Sequence, residues 1–561
     1  MSAADARQVT AGEAFLRRLA ANGVDYLFAN PGTDFAPVIE GIARAAAEGF
    51  AVPQAIPVAH ETAAIGMAHG YYLATGRPQA VMVHTNVGLA NAAMGAINAA
   101  SDQVPILLAS GISPVVDQGV TGHRTSSVAW GQNVRDQLSL IRDATKWDGV
   151  LAHPGQMSEL VDRAVVAAMS HPRGPVYLGL PRETLCAEAP LPDGLPRNAA
   201  TAVASHPAAL GRAAQMLDAA EHPLIVTQRG DGRPDSQGFA LLAAFAEKHA
   251  IPVVEVTPSR LALSGHSPMH AGFDPGPDIA TADLVLVLDT AVPWWPHRHK
   301  LAPGAKVIQA GPDPHHLSIP VRNFPADVAL AGEAVDVLAA LDALLPRRDR
   351  SIRFAAVAER NAARRAAQTG MAAANGVLTA AIVSRAVAEL AGDTGRVVCE
   401  LGAQIRAMRF ARGDQYFSNP ISGGLGWGLP AALGLQLADR ERLVIATVGD
   451  GSYMFANPVA CHHIAEALDL PILTIVFNNG VWNAVRATTL GIFGEGHAAR
   501  ANRVPLTALD PAPDYCKVAE ASRAWTARVE HTDKLGSTLA EAARVIREER
   551  RQVLVDVRIA A

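Results

Sequence analysis

The chain has 561 residues, 49% of them apolar or aromatic and 18% charged, with a formal net charge of −5. That length and apolar content fit about three domains with buried cores, and the mild negative charge gives no electrostatic case for binding nucleic acid or a membrane surface. The scattered cysteines (Cys186, Cys399, Cys461, Cys516) form no CxxC pair and fit reduced thiols in a cytoplasm, and there is neither an apolar signal core nor a roughly 18-residue apolar run that would span a membrane.

Residues 11–22 read as an amphipathic helix closed by Gly23. A strand at 26–29 runs into the turn Asn30-Pro31-Gly32-Thr33. His60 and Glu61 stand before a helix of small residues, 62–73. A strand at 80–84 ends in His84 and leads into a Gly/Ala-rich helix at 86–100, and 105–110 is another buried strand. Residues 111–135 are polar and loop-like, and a strand at 174–180 closes a first domain expected over 1–186. The Pro-containing stretch 187–204 reads as a linker. Strands at 224–227, 252–256, 283–288 and 306–310, with a helix at 236–249, make a smaller parallel α/β domain over 205–345. The Arg-rich stretch 346–368 reads as a solvated linking helix.

A third domain is expected over 371–561. It holds a strand at 397–400 ending in Leu401-Gly402-Ala403-Gln404, a Gly-rich turn entering a helix at 418–434, and a closing strand at 552–557. The first and third domains share a strand–helix rhythm, as if one fold were used twice. Within the third lies the most informative stretch, 443–485. An apolar run, 443–448, ends in Gly449-Asp450-Gly451, a helix-length segment follows, and a second run, 472–477, ends in Asn478-Asn479-Gly480. A βαβ unit brings these two polar clusters to the carboxyl ends of neighbouring parallel strands, where ligands of open α/β sheets bind. Gly449 and Gly451 let backbone amides approach a phosphate at the start of a helix. Asp450 and Asn479 supply hard oxygens suited to Mg²⁺ or Ca²⁺. The unit reads as a metal–diphosphate site. Residues 487–506, rich in glycine and without clear periodicity, are a candidate lid. Glu61 lies among Ala, Ile and Gly, where a carboxylate is poorly solvated; it is equally suited to a helix N-terminus, where the dipole favours it.

The GDG…NN pattern resembles the cofactor motif of thiamine-diphosphate enzymes, and HETAAIGMAHGYYLATG, GPVYLGLP and GGLGWGLPAALG extend the likeness over most of the first and third domains. The resemblance is to the acetolactate synthase and benzoylformate decarboxylase branch. It implies three α/β domains, each a parallel sheet flanked by helices: pyrimidine-binding, middle and diphosphate-binding. Carried over, Asp450, Asn479 and the Val481 carbonyl would hold Mg²⁺. Gly402, Ala403, Gln404, Gly449, Gly451 and Ser452 would line the diphosphate. Glu61 would bond the aminopyrimidine and promote formation of the C2 ylid. Gly423 and Leu425 would bring a bulky apolar side chain under the bent cofactor. His84 matches an active-site His of benzoylformate decarboxylases and Thr33 their small hydroxyl residue.

Together with Trp482, Ala484 and Val485, these two line the expected substrate pocket. Val485 and Ser126-Ser127 stand where pyruvate decarboxylases carry a Glu and a His pair, which disfavours that activity. The middle-domain Arg of acetolactate synthases is missing, and their Gly-rich turn is unclear at 226–233, which leaves an FAD requirement doubtful. The implied protein is an acetolactate synthase-like carboligase or decarboxylase of 2-oxo acids, working through the ylid and an enamine. The alternative is a benzoylformate decarboxylase-like enzyme for bulky or aromatic 2-oxo acids, and a non-catalytic cofactor-binding homologue is a third reading. The implied assembly is a homodimer or homotetramer with active sites at the subunit interface.

Overall fold

The computed structural model describes residues 7–196, 199–229, 237–370, 377–501 and 503–560. The expected starts of the first and third domains, and residues 230–233 of the FAD-turn comparison, lie outside the described residues. The chain divides into two compact units, Met1–Thr201 with Pro420–Asp439, and Ala202–Asn419 with Arg440–Ala561.

The first unit is built on a parallel sheet of β1 (Tyr26–Asn30), β2 (Gln54–Pro57), β3 (Gln79–Val83), β4 (Ile106–Ile112), β5 (Asp148–Val150) and β6 (Val176–Pro181), in the order β2-β1-β3-β4-β6-β5. Its central strands are buried almost throughout, the pattern a sheet covered on both faces requires. Behind β2 and β3 run α1 (Glu61–Thr75) and α2 (Thr85–Ser101).

The second unit carries two sheets. The smaller comprises β7 (Pro223–Thr227), β8 (Val253–Glu255), β9 (Leu284–Leu288), β10 (Lys306–Gly311) and β11 (Val328–Ala331), in the order β8-β7-β9-β10-β11. The larger comprises β12 (Arg396–Glu400), β13 (Tyr416–Ser418), β14 (Val444–Gly449), β15 (Leu473–Asn478), β16 (Trp525–Val529) and β17 (Val553–Arg558), in the order β13-β12-β14-β15-β17-β16. All pairs in both sheets are parallel. Counted from its own first strand, the larger sheet winds as the first unit's sheet does. One fold is indeed used twice, and the chain has three domains, each a parallel sheet flanked by helices.

Several elements differ from expectation. The 187–204 stretch is more than a linker: Glu188–Pro190 pairs antiparallel with Gln8–Thr10. The Arg-rich stretch forms α3 (Ser351–Gly370), but it is not merely solvated. Arg364 bonds Asp278, Arg353 donates to the His249 carbonyl at 2.7 Å, and the buried Asn361 donates to the Pro268 carbonyl at 2.9 Å. Residues 487–492 belong to a helix that starts at Asn483, so the candidate lid is partly regular.

The helix at Gly428–Ala438, α4, packs on α1 with backbones nearly in contact. A Cβ on Gly70 would stand 2.0 Å from the Ala431 carbonyl oxygen, and one on Gly434 2.1 Å from that of Met67. The small residues of α1 are explained by this approach. They group residues 420–439, which the sequence places in the third domain, with the first unit.

Candidate active site

Two clusters of candidate residues form, one in each unit. In the first, β3 ends at His84, and Thr85 opens α2 with φ +42°, an uncommon conformation for a β-branched residue. Strain of this kind collects at functional sites. The turn after β1 brings in Asp34, only 2% exposed, whose carboxylate accepts from His84 Nδ1 at 2.5 Å and from the Thr85 N–H at 3.3 Å. The Gln132 amide nitrogen lies 3.0 Å from His84 Nε2. With that amide donating, Nε2 accepts and the neutral ring carries its proton on Nδ1, toward Asp34. The hydrogen bond to Asp34 raises the His84 pKa above its ordinary value; burial opposes this, and the charges of Asp34 and Glu61 add to the rise.

Glycine is demanded at two places here. A Cβ on Gly32 would sit 2.1 Å from His84 Nδ1, and one on Gly111 1.9 Å from Asp34 Oδ2. Glu61 begins α1, buried, with Oε2 accepting from Asn91 Nδ2 at 3.1 Å. Thr33 is exposed in the turn beside Asp34. Leu425 is half-buried, two residues after Gly423, which takes φ +69°. Thr85 Oγ1 and Asn86 Oδ1 are buried without a hydrogen-bond partner, polar atoms left for a ligand or water.

In the second cluster, β14 ends at Gly449 and a short helix, α5 (Asp450–Phe455), starts at once. It breaks at Asn457, φ +52°, before Pro458 opens α6 (Pro458–Ala467), so the expected single helix is two. Asp450 Oδ1 accepts from the Gly451 N–H and Oδ2 from the Gly480 N–H, both at 2.8 Å, which ties the two strand-end turns together. Burial pushes the Asp450 carboxyl above its ordinary range, against those backbone donors. Asn479 Oδ1 accepts from the Val481 N–H at 3.0 Å. Trp482, at φ −74° and ψ 74°, forms an inverse γ-turn in which the Val481 carbonyl accepts from the Asn483 N–H at 2.8 Å, leaving its second lone pair.

Asn478, the first of the pair, is structural: its Nδ2 donates to the buried Asp556 at 2.8 Å. At the end of β12, Gly402 takes φ +94°, and a Cβ there would meet the Phe477 side chain at 2.7 Å. Ala403 is half-buried, and the Gln404 N–H donates to Ser384 Oγ at 2.8 Å. The Trp482 ring stands edge-on to Phe455, and Ala484 and Val485 are exposed on the first turn of α7 (Asn483–Ile492).

These residues fit a metal-bound diphosphate. Ser452 Oγ is buried with no partner at the N-terminus of α5, and open space surrounds Gly451 and Gly480. Among the described residues no three His, Cys, Asp or Glu side chains gather as a cage. Mg²⁺ shared with phosphates needs only one or two carboxylates and further oxygens. Sequence reasoning missed Asp34, Gln132 and Asn91, which touch His84 or Glu61 across sequence gaps that no periodicity marks.

Paired domains of one winding, with polar turns at the strand ends, where open α/β sheets bind ligands, define a three-domain α/β protein of the cofactor-binding kind. Family models match along the chain: the N-terminal TPP binding domain of thiamine pyrophosphate enzymes at 9–140, their central domain at 210–341, and their C-terminal TPP binding domain at 393–557. The chain belongs to the thiamine-pyrophosphate-dependent enzymes. It is 29% identical to the probable 2-ketoarginine decarboxylase of Pseudomonas aeruginosa, over 87% of this chain and 85% of that one. It is 25% identical to the acetolactate synthase large subunit of Haemophilus influenzae, over 99% and 95%. The fold matches that of a 4-hydroxybenzoylformate decarboxylase from Rhodococcus jostii RHA1, with a TM-score of 0.80 at 22% identity over 98% of this chain and 99% of that one. Among the described residues no helix is long and apolar enough to cross a membrane.

Proposed function

We propose that the protein decarboxylates a 2-oxo acid and protonates the product to an aldehyde, with thiamine diphosphate and Mg²⁺ as cofactors. The observation that carries this reading is His84 held between Asp34 and Gln132 beside Glu61. Bound thiamine diphosphate supplies the carbanion that adds to the oxo carbon and takes up the electrons left when CO₂ departs.

The chain's residues do the rest. Glu61, anchored by Asn91, exchanges a proton with the aminopyrimidine. His84 moves a proton to the product, its protonated form favoured by the hydrogen bond to Asp34. Gln132 fixes the ring's orientation. Asp450, Asn479 and the Val481 carbonyl hold the metal, Ser452 and the Gly451 turn receive the diphosphate, and Gly402, Ala403 and Gln404 border it. Thr33, Trp482, Ala484 and Val485 border the substrate. Active sites are completed by a second copy of the chain, a reading supported by exposed apolar side chains such as Trp130, Phe455, Ile492 and Phe493.

A second reading, carboligation, is favoured by the end-to-end similarity to an acetolactate synthase. The test is to incubate the holoenzyme with 2-ketoarginine, benzoylformate and pyruvate, and to separate aldehyde from acetolactate. Free aldehyde from one of the first two is expected. Acetolactate from pyruvate with no free aldehyde would replace this reading by the second, and no CO₂ from any of the three would remove both.

A further inference from the structure

We propose that Asn98 is a positioning residue that sets the place of Leu425. The inference rests on the reading of Leu425 as the side chain under the cofactor rings. Asn98 lies on α2 and is fully buried. Its Oδ1 accepts from Ser422 Oγ at 2.7 Å and from the Gly424 N–H at 3.1 Å, while its Nδ2 donates to the Gly424 carbonyl at 2.8 Å.

One side-chain amide thus matches both polar groups of the residue just before Leu425. A carboxylate lacks the donor that faces the carbonyl, and a glutamine is one carbon too long. The turn holds a backbone bond of its own, from the Gly423 N–H to the Pro420 carbonyl at 3.0 Å, but it contains two glycines at positive φ, Gly423 at +69° and Gly426 at +93°. Glycine gives up more conformational freedom than any other residue when fixed, so an external clamp has the most to contribute here. The clamp also explains Gly424: a Cβ there would sit 2.6 Å from both Asn98 Oδ1 and Met94 Sδ. The neighbours of Asn98 on the buried side of α2 are Gly95, Ala96 and Ala99. Burying an amide among them is unfavourable unless it is fully bonded, and α2 itself would be served as well by alanine.

The test uses the full chain. In the cofactor-free protein, Asn98→Ala is expected to speed amide hydrogen exchange at residues 422–425 while α1 stays protected. With Mg²⁺ present, the variant is expected to weaken thiamine diphosphate binding about tenfold and to leave the affinity for inorganic pyrophosphate, which lacks the rings, unchanged. Combined with Leu425→Ala, the two losses should add to less than their sum. Equal weakening of both ligands, or full additivity with Leu425→Ala, would overturn the proposal. Should Asn98→Ala fail to fold, Ser422→Ala removes one bond from an exposed position; it is expected to weaken thiamine diphosphate in the same direction, and an unchanged ratio to pyrophosphate would equally overturn the inference. If the native protein binds pyrophosphate but not thiamine diphosphate, the cofactor reading fails, and the exchange rates still decide whether the clamp exists.

Discussion

At the scale of single residues, His84 and Asp34 lead to the sharpest pH argument. His84 has a raised pKa in the folded protein, so its bond to Asp34 stabilises fully below the unfolded histidine value and is lost as pH rises through the folded value. The difference in stability between the native protein and Asp34→Asn should therefore be largest in mild acid and shrink as pH rises, as chemical denaturation at a series of pH values would show. Buried His316 has the opposite sign. Burial lowers its pKa to about 4, so its contribution is present above the ordinary histidine range and is lost as pH falls through that window. Glu61→Gln should still bind thiamine diphosphate, but proton exchange at its C2, followed by NMR, should slow by about 10²-fold. Asp450→Ala should abolish the rise in melting temperature that Mg²⁺ with thiamine diphosphate confers on the native protein; an undiminished rise would remove the metal assignment. At this scale the sequence was legible where chemistry sits in a contiguous motif. Asp450 and Asn479 stand in turns whose neighbours mark them, whereas Asp34 meets His84 from 50 positions away and nothing local marks the pair.

At the scale of elements, the contact of α1 with α4 is the most demanding packing in the first unit. Gly66, Gly70 and Gly434 let the helices approach until a methyl group no longer fits. Glycine inside a helix costs about 1 kcal/mol relative to alanine, so three of them are retained only because the close approach returns more. Gly70→Val would drive a branched side chain into the Ala431 backbone and should cost several kcal/mol. Gly451→Ala, with open space around it, should leave the melting temperature of the cofactor-free protein nearly unchanged. The small-residue character of α1 was legible in the sequence; its partner was not, because residues 420–439 pack with an element more than 340 positions earlier. The short edge strands β2, β5 and β13 were missed for a related reason. With three or four residues each, they carry too little pattern, and their ladders are supplied by neighbours.

At the scale of the whole molecule, two sheets share one winding, and each carries its own cluster of candidate site residues. In the reading proposed above, the Glu61 cluster would meet the reacting rings and the Asp450 cluster the charged tail. The repeated winding was visible in the sequence as a rhythm without identity, because strand order depends on apolar periodicity and crossover handedness, which many sequences satisfy. If, as proposed, the Glu61 cluster of one copy works with the Asp450 cluster of another, each chain of a dimer contributes to two sites. Glu61→Ala and Asp450→Ala are then each inactive alone. After mixing, dissociation and reassociation, half of the dimers are heterodimers, each with one site carrying both lesions and one site carrying neither. The mixture should recover about one quarter of native activity, measured as CO₂ release per total chain. Were both clusters of a working site to come from a single chain, no heterodimer could hold an intact site, and mixing would restore nothing.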